Sequence, residues 1–248
     1  MLASKLADKI GQQHIVYNSP VTTVSKIFRG NVTSSSSFYN VTISNGKTYT
    51  GKKVVVAMSP PMAVRIEYSP ILPAARDQLC QHMPMGSIGK AIAVYDTPFW
   101  RSDRLSGQVL SKTGAARTTF DQSPRNGEFG ALMGFLEAAE VRKLDKVDET
   151  VLKDKVSRDF VAYFGPRAAN ATAWVFQRWD NEEFSRGGPV AVPSPDILTQ
   201  YGTALKQPVD GIHFAGTESS DYWVGYMDGA LRSGERAGRE VIMAMSPN

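Results

Sequence analysis

Apolar and polar positions alternate in short runs over the first quarter of the chain, behind a helical stretch at the N-terminus. Met1 to Lys9 reads as an amphipathic helix. The runs His14 to Tyr17, Thr23 to Phe28, Phe38 to Ile43 and Lys47 to Tyr49 have the two-residue period of half-buried strands and predict an antiparallel meander. Asn45-Gly46, between two of these runs, predicts a tight hairpin in which both residues take positive φ. The serine run Ser34 to Ser37 predicts a mobile loop tip. Val54 to Ala57 is continuously apolar and stops at Ser59-Pro60-Pro61, the pattern of a strand buried on both faces.

The middle of the chain mixes both periods. A helix is expected over Ala74 to Met83, and strands over Ala91 to Tyr95, Gly107 to Leu110, Arg117 to Asp121 and Ala131 to Leu136. Val151, Leu152, Val156, Phe160, Val161 and Phe164 recur at helical spacing from Asp148 until Gly165-Pro166 ends the run. A strand at Ala173 to Arg178 leads into Arg186 to Pro195, too rich in Gly and Pro for an element of its own. The chain closes with a strand at Gly211 to Ala215, a turn at Gly216-Thr217-Glu218 and a helix from Gly225 to Met245. No internal repeat is visible, and the fold class is mixed α/β and α+β.

At 248 residues the chain is long enough for a real core or two small ones. With 42% hydrophobic and 21% charged residues it has the make-up of a soluble globular protein, and no run approaches the roughly 18 apolar residues of a membrane span. The net charge of +4 is interleaved with acids and forms no basic stripe, which disfavours nucleic acid as a partner. A single cysteine, Cys80, excludes an internal disulfide and a cysteine-rich metal site, and no metal is expected. The N-terminus has no secretory core and Ser246-Pro247-Asn248 neither a hydrophobic tail nor a peroxisomal address, so the expectation is a cytoplasmic protein without membrane attachment. Asn31, Asn40 and Asn170 start acceptor patterns for glycosylation that such a protein leaves unused.

Three segments carry candidate chemistry. Asp210 to Glu240 delivers a buried strand into a glycine turn beside a helix whose first turn is Gly225-Tyr226-Met227, and glycines there permit close backbone approach to a bound group. Gly86 to Tyr95 places Lys90 among small and apolar residues, where desolvation would lower its pKa, ahead of Pro98-Phe99-Trp100. Trp179-Asp180-Asn181-Glu182-Glu183-Phe184-Ser185-Arg186-Gly187-Gly188-Pro189 is an irregular, aromatic-bearing loop.

Together these segments resemble the second half of the flavin-dependent amine oxidases of the monoamine oxidase type, over nearly the whole chain. The resemblance implies FAD, with Gly216, Thr217, Glu218, Gly225, Tyr226 and Met227 facing it and Val21, after Pro20, near its adenine. It implies that Lys90 holds a water against the flavin and that Tyr226 orients an amine, these two being the catalytic candidates. Trp179, Phe184, Pro189 and Tyr226 would line the substrate pocket. Two departures matter: Gly188 stands where the animal enzymes carry a flavin-bonded cysteine, and Pro189 where they carry a tyrosine. Any flavin is therefore expected to be non-covalent, as in fungal relatives.

No G-x-G-x-x-G turn with its following acidic residue occurs, so the expected fold is an amine oxidase fold lacking the N-terminal dinucleotide-binding βαβ unit. Residues 1–79 would be a flavin-side meander and buried strand, 80–181 part of a substrate domain, and 182–248 the return to the flavin side. The absent strands would leave edges that a complementary N-terminal half, self-association or local refolding must cover. Three functions stay open: an amine oxidase completed by its first half, a relative without flavin that binds a small apolar molecule or catalyses a cyclisation or isomerisation, and a non-catalytic partner subunit.

Overall fold

The computed structural model describes residues 2–29, 36–143 and 147–246. The chain forms two compact units, one of residues 1–84 and 193–248, the other of residues 85–192. The first unit opens with helix α1 (Leu2–Ile10), strands β1 (Val21–Arg29), β2 (Ser36–Ile43), β3 (Thr48–Gly51) and β4 (Val54–Ala57), the short helix α2 (Pro60–Ala63), β5 (Glu67–Ser69) and α3 (Ala74–Gln81). The second unit holds β6 (Ile88–Tyr95), α4 (Phe99–Ser102), β7 (Val109–Leu110), β8 (Ala116–Asp121), β9 (Gly130–Glu137), α5 (Ala138–Lys143), α6 (Glu149–Phe164) and β10 (Ala173–Arg178). The chain then returns to the first unit with α7 (Ile197–Tyr201), β11 (Ile212–Ala215) and α8 (Met227–Met245). The mixture of α and β elements matches the expected class. No helix among the described residues is long and apolar enough to cross a membrane.

In the first unit the meander β3-β2-β1 is antiparallel, and β5 adds to it in parallel alongside β1. A separate two-stranded parallel sheet joins β11 to β4, Ile212 opposite Val54 through Ala215 opposite Ala57. Val24, Tyr39, Val56, Ile66, Ile212 and Phe214 form the core between them. The Tyr39 hydroxyl accepts the Gly211 N–H at 2.8 Å and so ties the meander to the start of β11. Helix α8 is fastened to β11 by Arg236, which donates to the Phe214 carbonyl at 2.7 Å, and by Glu240, 3.0 Å from His213 Nδ1.

Several expectations need correction. His14 to Tyr17 is not a strand: a 3-10 turn occupies Gln12–His14, and Asn18 at φ 52 followed by Pro20, which has no N–H, prevents pairing. The hairpin after β2 has positive φ at Gly46 (85°) but not at Asn45: the four residues Ser44 to Lys47 link the strands, and the Asn45 side-chain oxygen accepts the Lys47 N–H at 3.0 Å. Ser34 and Ser35 lie outside the described residues, while Ser36 and Ser37 belong to β2. Strand β4 is not buried on both faces: Val56 is 4% exposed and packs in the core, but Val55, on the opposite face, is 42% exposed.

The second unit is built on a five-stranded sheet in the order β10-β6-β9-β8-β7, antiparallel throughout. Burial alternates strictly along β6, and Ala91, Ala93 and Tyr95 face the core with Leu132 and Leu136. Helix α6 covers that face with Leu152, Val156, Phe160 and Phe164. Its start is capped by Asp148, which accepts the Thr150 N–H at 2.8 Å. Trp100 is fully buried and donates its indole N–H to Asp121 at 3.0 Å, which satisfies its polar atom.

Candidate functional site

The sequence-selected residues divide between the two units. In the first unit, β11 runs into Gly216, whose φ of 121° and approach to the Met58 carbonyl leave no room for a side chain: a Cβ would stand 2.9 Å from that oxygen. Its N–H donates to the buried Ser233 hydroxyl at 3.0 Å. Thr217 follows and organises the next eight residues. Its hydroxyl accepts the Gly225 N–H at 2.7 Å and donates to the Tyr226 carbonyl at 3.1 Å.

This clamp corrects the expected helix boundary. Gly225 at φ 86 and Tyr226 in extended geometry precede the helix, and α8 starts at Met227 with Tyr226 as its N-cap residue. Tyr226 thus caps the helix and Met227 is its first residue, so the expected first turn begins two residues later than predicted. Tyr226 is 64% exposed and meets the exposed Trp223 edge to face, ring centroids 5.7 Å apart. Glu218 lies buried within the 3-10 turn Thr217–Ser219. Val21, half-buried, begins β1 and packs on the core of this unit.

In the second unit, Lys90 stands on the sheet face opposite Ala91 and Ala93. Its direct neighbours are Phe135 on β9 and Gln177 on β10. The Lys90 ammonium lies 5.5 Å from the Phe135 ring centroid, and Phe135 meets Phe120 edge to face at 6.0 Å. This places one cation on an aromatic floor, a favourable arrangement electrostatically. Phe135, Phe120 and Gln177 were not foreseen; the alternation of β9 carried the signal for Phe135, but not its pairing with Lys90.

The aromatic loop is pinned by a crossing of two glycine segments. Gly188 N–H donates to the Gly86 carbonyl at 2.8 Å, and Gly86 N–H to the Val190 carbonyl at 3.0 Å. A Cβ on Gly187 would lie 2.2 Å from the Gly86 oxygen, so the crossing demands glycine. Gly187 N–H also donates to the Trp179 carbonyl at 2.8 Å, which closes the loop on itself. A Cβ on Gly188 would be in ordinary contact with Ile88 and Trp179, so this position tolerates a side chain sterically. Phe184 and Pro189 are exposed at the surface of this unit. Among the described residues no group of three or more His, Cys, Asp or Glu is placed to hold a metal ion.

Residues 1–242 match the family model described as flavin containing amine oxidoreductase. The chain is 36% identical over 240 residues to a probable flavin-containing monoamine oxidase A of Dictyostelium discoideum, covering 97% of this chain and 51% of that protein. A putative flavin-containing monoamine oxidase of Mycobacterium tuberculosis is 43% identical over 201 residues, covering 81% of this chain and 43% of its own length. The solved structure of cyclohexylamine oxidase from Brevibacterium oxydans superimposes with a TM-score of 0.90 at 28% identity, over 98% of this chain and 52% of that one. The chain thus spans about half the length of the relatives it matches.

Proposed function

The chain belongs to the flavin containing amine oxidoreductase family, and from that premise we propose that it forms the second half of an FAD-dependent oxidase that converts an amine to an imine. Because it spans about half of its relatives, the activity is exercised together with the remaining half, which carries the dinucleotide-binding βαβ unit. FAD, when bound, supplies the acceptor for the hydride leaving the carbon that bears nitrogen.

The loop from Gly216 to Met227 carries this reading. Its clamp by Thr217 keeps backbone and an exposed aromatic and thioether surface free of bulky cover, which fits a flat ring system with polar edges. Gly216, Thr217, Glu218, Gly225, Tyr226 and Met227 hold the cofactor, with Val21 on its adenine side. Gly188 has no thiol to offer, so the cofactor is held without a covalent bond. Tyr226 orients the amine by its ring face, and Trp179, Phe184 and Pro189 exclude water from it. Lys90 positions a water molecule and handles its proton. Residues 1–79 and 182–248 serve the flavin side and 80–181 the substrate side. Cyclohexylamine oxidase acts on an amine with an apolar body, and the same class of primary or secondary amine is the substrate proposed for this chain.

The test is an absorbance spectrum after gel filtration of the chain with FAD, alone and mixed with a polypeptide carrying the dinucleotide-binding half of a matching relative. Flavin bands retained by the mixture and bleached anaerobically by an apolar amine are expected, and Lys90→Met should slow the bleaching by about 100-fold or more. Retention of no flavin in either preparation would sink the proposal.

A further inference from the structure

A cavity of 390 Å³ lies in the first unit, apart from the Gly216–Met227 loop, lined by Ala63, Ile66, Tyr68, Leu72, Arg76 and Cys80 among others. Its walls are mostly aliphatic, yet it contains a guanidinium. Arg76 is 5% exposed, stacks on Phe214 at 3.2 Å from the ring centroid, and donates one terminal N–H to the Ala204 carbonyl. No carboxylate bonds to it among the described residues, and its buried Nε–H has no partner. The Tyr68 hydroxyl, on β5 and lining the same cavity, is also buried without a partner.

Two buried donors left open in one cavity are costly, each by about 1–3 kcal/mol. Ordinary core packing does not leave such a pair. The acids that act on Arg76 are the Cys80 thiol and the Tyr68 phenol; burial pushes both up, Tyr68 to about 12, so both are neutral at pH 7 and offer no counter-charge. The carboxylates at the rim are otherwise placed: Asp77 accepts from Gln81 at 3.0 Å and Glu67 is exposed. Their negative charge penalises a dianion such as phosphate more than a singly charged group.

We propose that this cavity is a binding site for a free monocarboxylate with an apolar body, its two oxygens taking the Arg76 Nε–H and the Tyr68 O–H. A carboxylate supplies both missing acceptors and the missing charge at once, and charge-assisted bonds to a buried arginine are the strong class of hydrogen bond. The aliphatic walls take the body of the ligand, and the volume lies within the range of small-molecule sites. None of its lining residues belongs to the Gly216–Met227 loop.

The probe is sodium benzoate, titrated into the 248-residue chain with benzyl alcohol as the neutral counterpart, followed by thermal melting and by the NMR signal of the Arg76 Nε–H. Benzoate should shift that signal saturably and raise the melting temperature, while benzyl alcohol does neither. Tyr68→Phe should weaken benzoate about tenfold or more while leaving the unliganded protein as stable or slightly more so, because it deletes an unsatisfied buried hydroxyl. The Arg76 signal reads the unmodified chain, so the result does not hang on the variant. No saturable shift, an equal response to the alcohol, or unchanged affinity in Tyr68→Phe would overturn the proposal. A benzoate response abolished by adding the complementary half would overturn the free ligand in favour of a carboxylate side chain of that half.

Discussion

The five antiparallel strands of the second unit and the two parallel strands of the first complete themselves to different degrees. Strand β6 has β9 and β10 on its two edges and α6 over its buried face, all supplied by residues 130–178. Strand β11 is buried along its whole length, with α8 fastened to it through Arg236 and Glu240. Its partner β4 is not: Val55 and Ala57 are exposed, and no second strand pairs with it among the described residues. Antiparallel strands find partners through hairpins and short connections, whereas parallel strands depend on elements distant in sequence and are ordinarily covered on both faces. The difference teaches that the second unit supplies the strand partners and helical cover of its own central strand, while the first presents an unfinished surface at β4.

The sharpest way to break that comparison is Phe160→Ala. Phe160 is fully buried and stacks on Trp174 at 6.0 Å between ring centroids. Its truncation should cost about 3–5 kcal/mol. Hydrogen exchange should show protection lost across β6, β8, β9 and α6 while β11 and α8 keep theirs. If protection falls everywhere together, the two units unfold as one and the second has no stability of its own.

The same contrast explains what could be read from the sequence. The β6 alternation and the helical recurrence of Leu152, Val156, Phe160 and Phe164 are complete local signals, because the surface each buries lies on one face of one element. Val54 to Ala57 announced a strand equally well, but its exposure depends on what packs over each face, which no local pattern encodes. Strand β5, three residues of which only Tyr68 is apolar, gave no period to detect. At the candidate site, the loops were legible from glycines and aromatics. The start of α8 was displaced because Thr217, eight residues upstream, holds Gly225 and Tyr226 outside the helix. Phe135 and Gln177 flank Lys90 from strands 45 and 87 residues further along, and only the sheet register brings them there.

A smaller effect is expected from acid. Burial pushes the Asp121 carboxyl up, but hydrogen bonds from Arg101, Ser123 and Trp100 outweigh it and hold the carboxyl at about 2, below the ordinary aspartate value. A folded-state pKa below the unfolded one contributes stability at neutral pH that is lost as pH falls from about 4 towards 2. Solvent screening limits this to about 1 kcal/mol. Asp121→Asn should flatten the acid limb of the second unit's melting temperature over that interval. The first unit should keep its own acid sensitivity there, since Glu240, pushed up by burial, is held low by hydrogen bonds from His213 and Arg236. An unchanged acid limb in Asp121→Asn would place the loss elsewhere.

The smallest effect bears most directly on the open face of β4. Val55→Thr keeps a β-branched side chain and adds a hydroxyl where 42% of the residue meets solvent, so it should change stability by no more than about 0.5 kcal/mol. Val56→Thr, one residue on and 4% exposed, should cost about 1–3 kcal/mol, because its hydroxyl is buried without an acceptor provided for it. Chemical denaturation of the two variants checks the pair, since the chemistry is identical and only the face differs. Equal costs would mean that something covers Val55 in solution. If the cover is a second copy of the chain, the cost of Val55→Thr should diminish on dilution, whereas a cost independent of concentration would mean that β4 is buried within one molecule and that the first unit is as complete as the second.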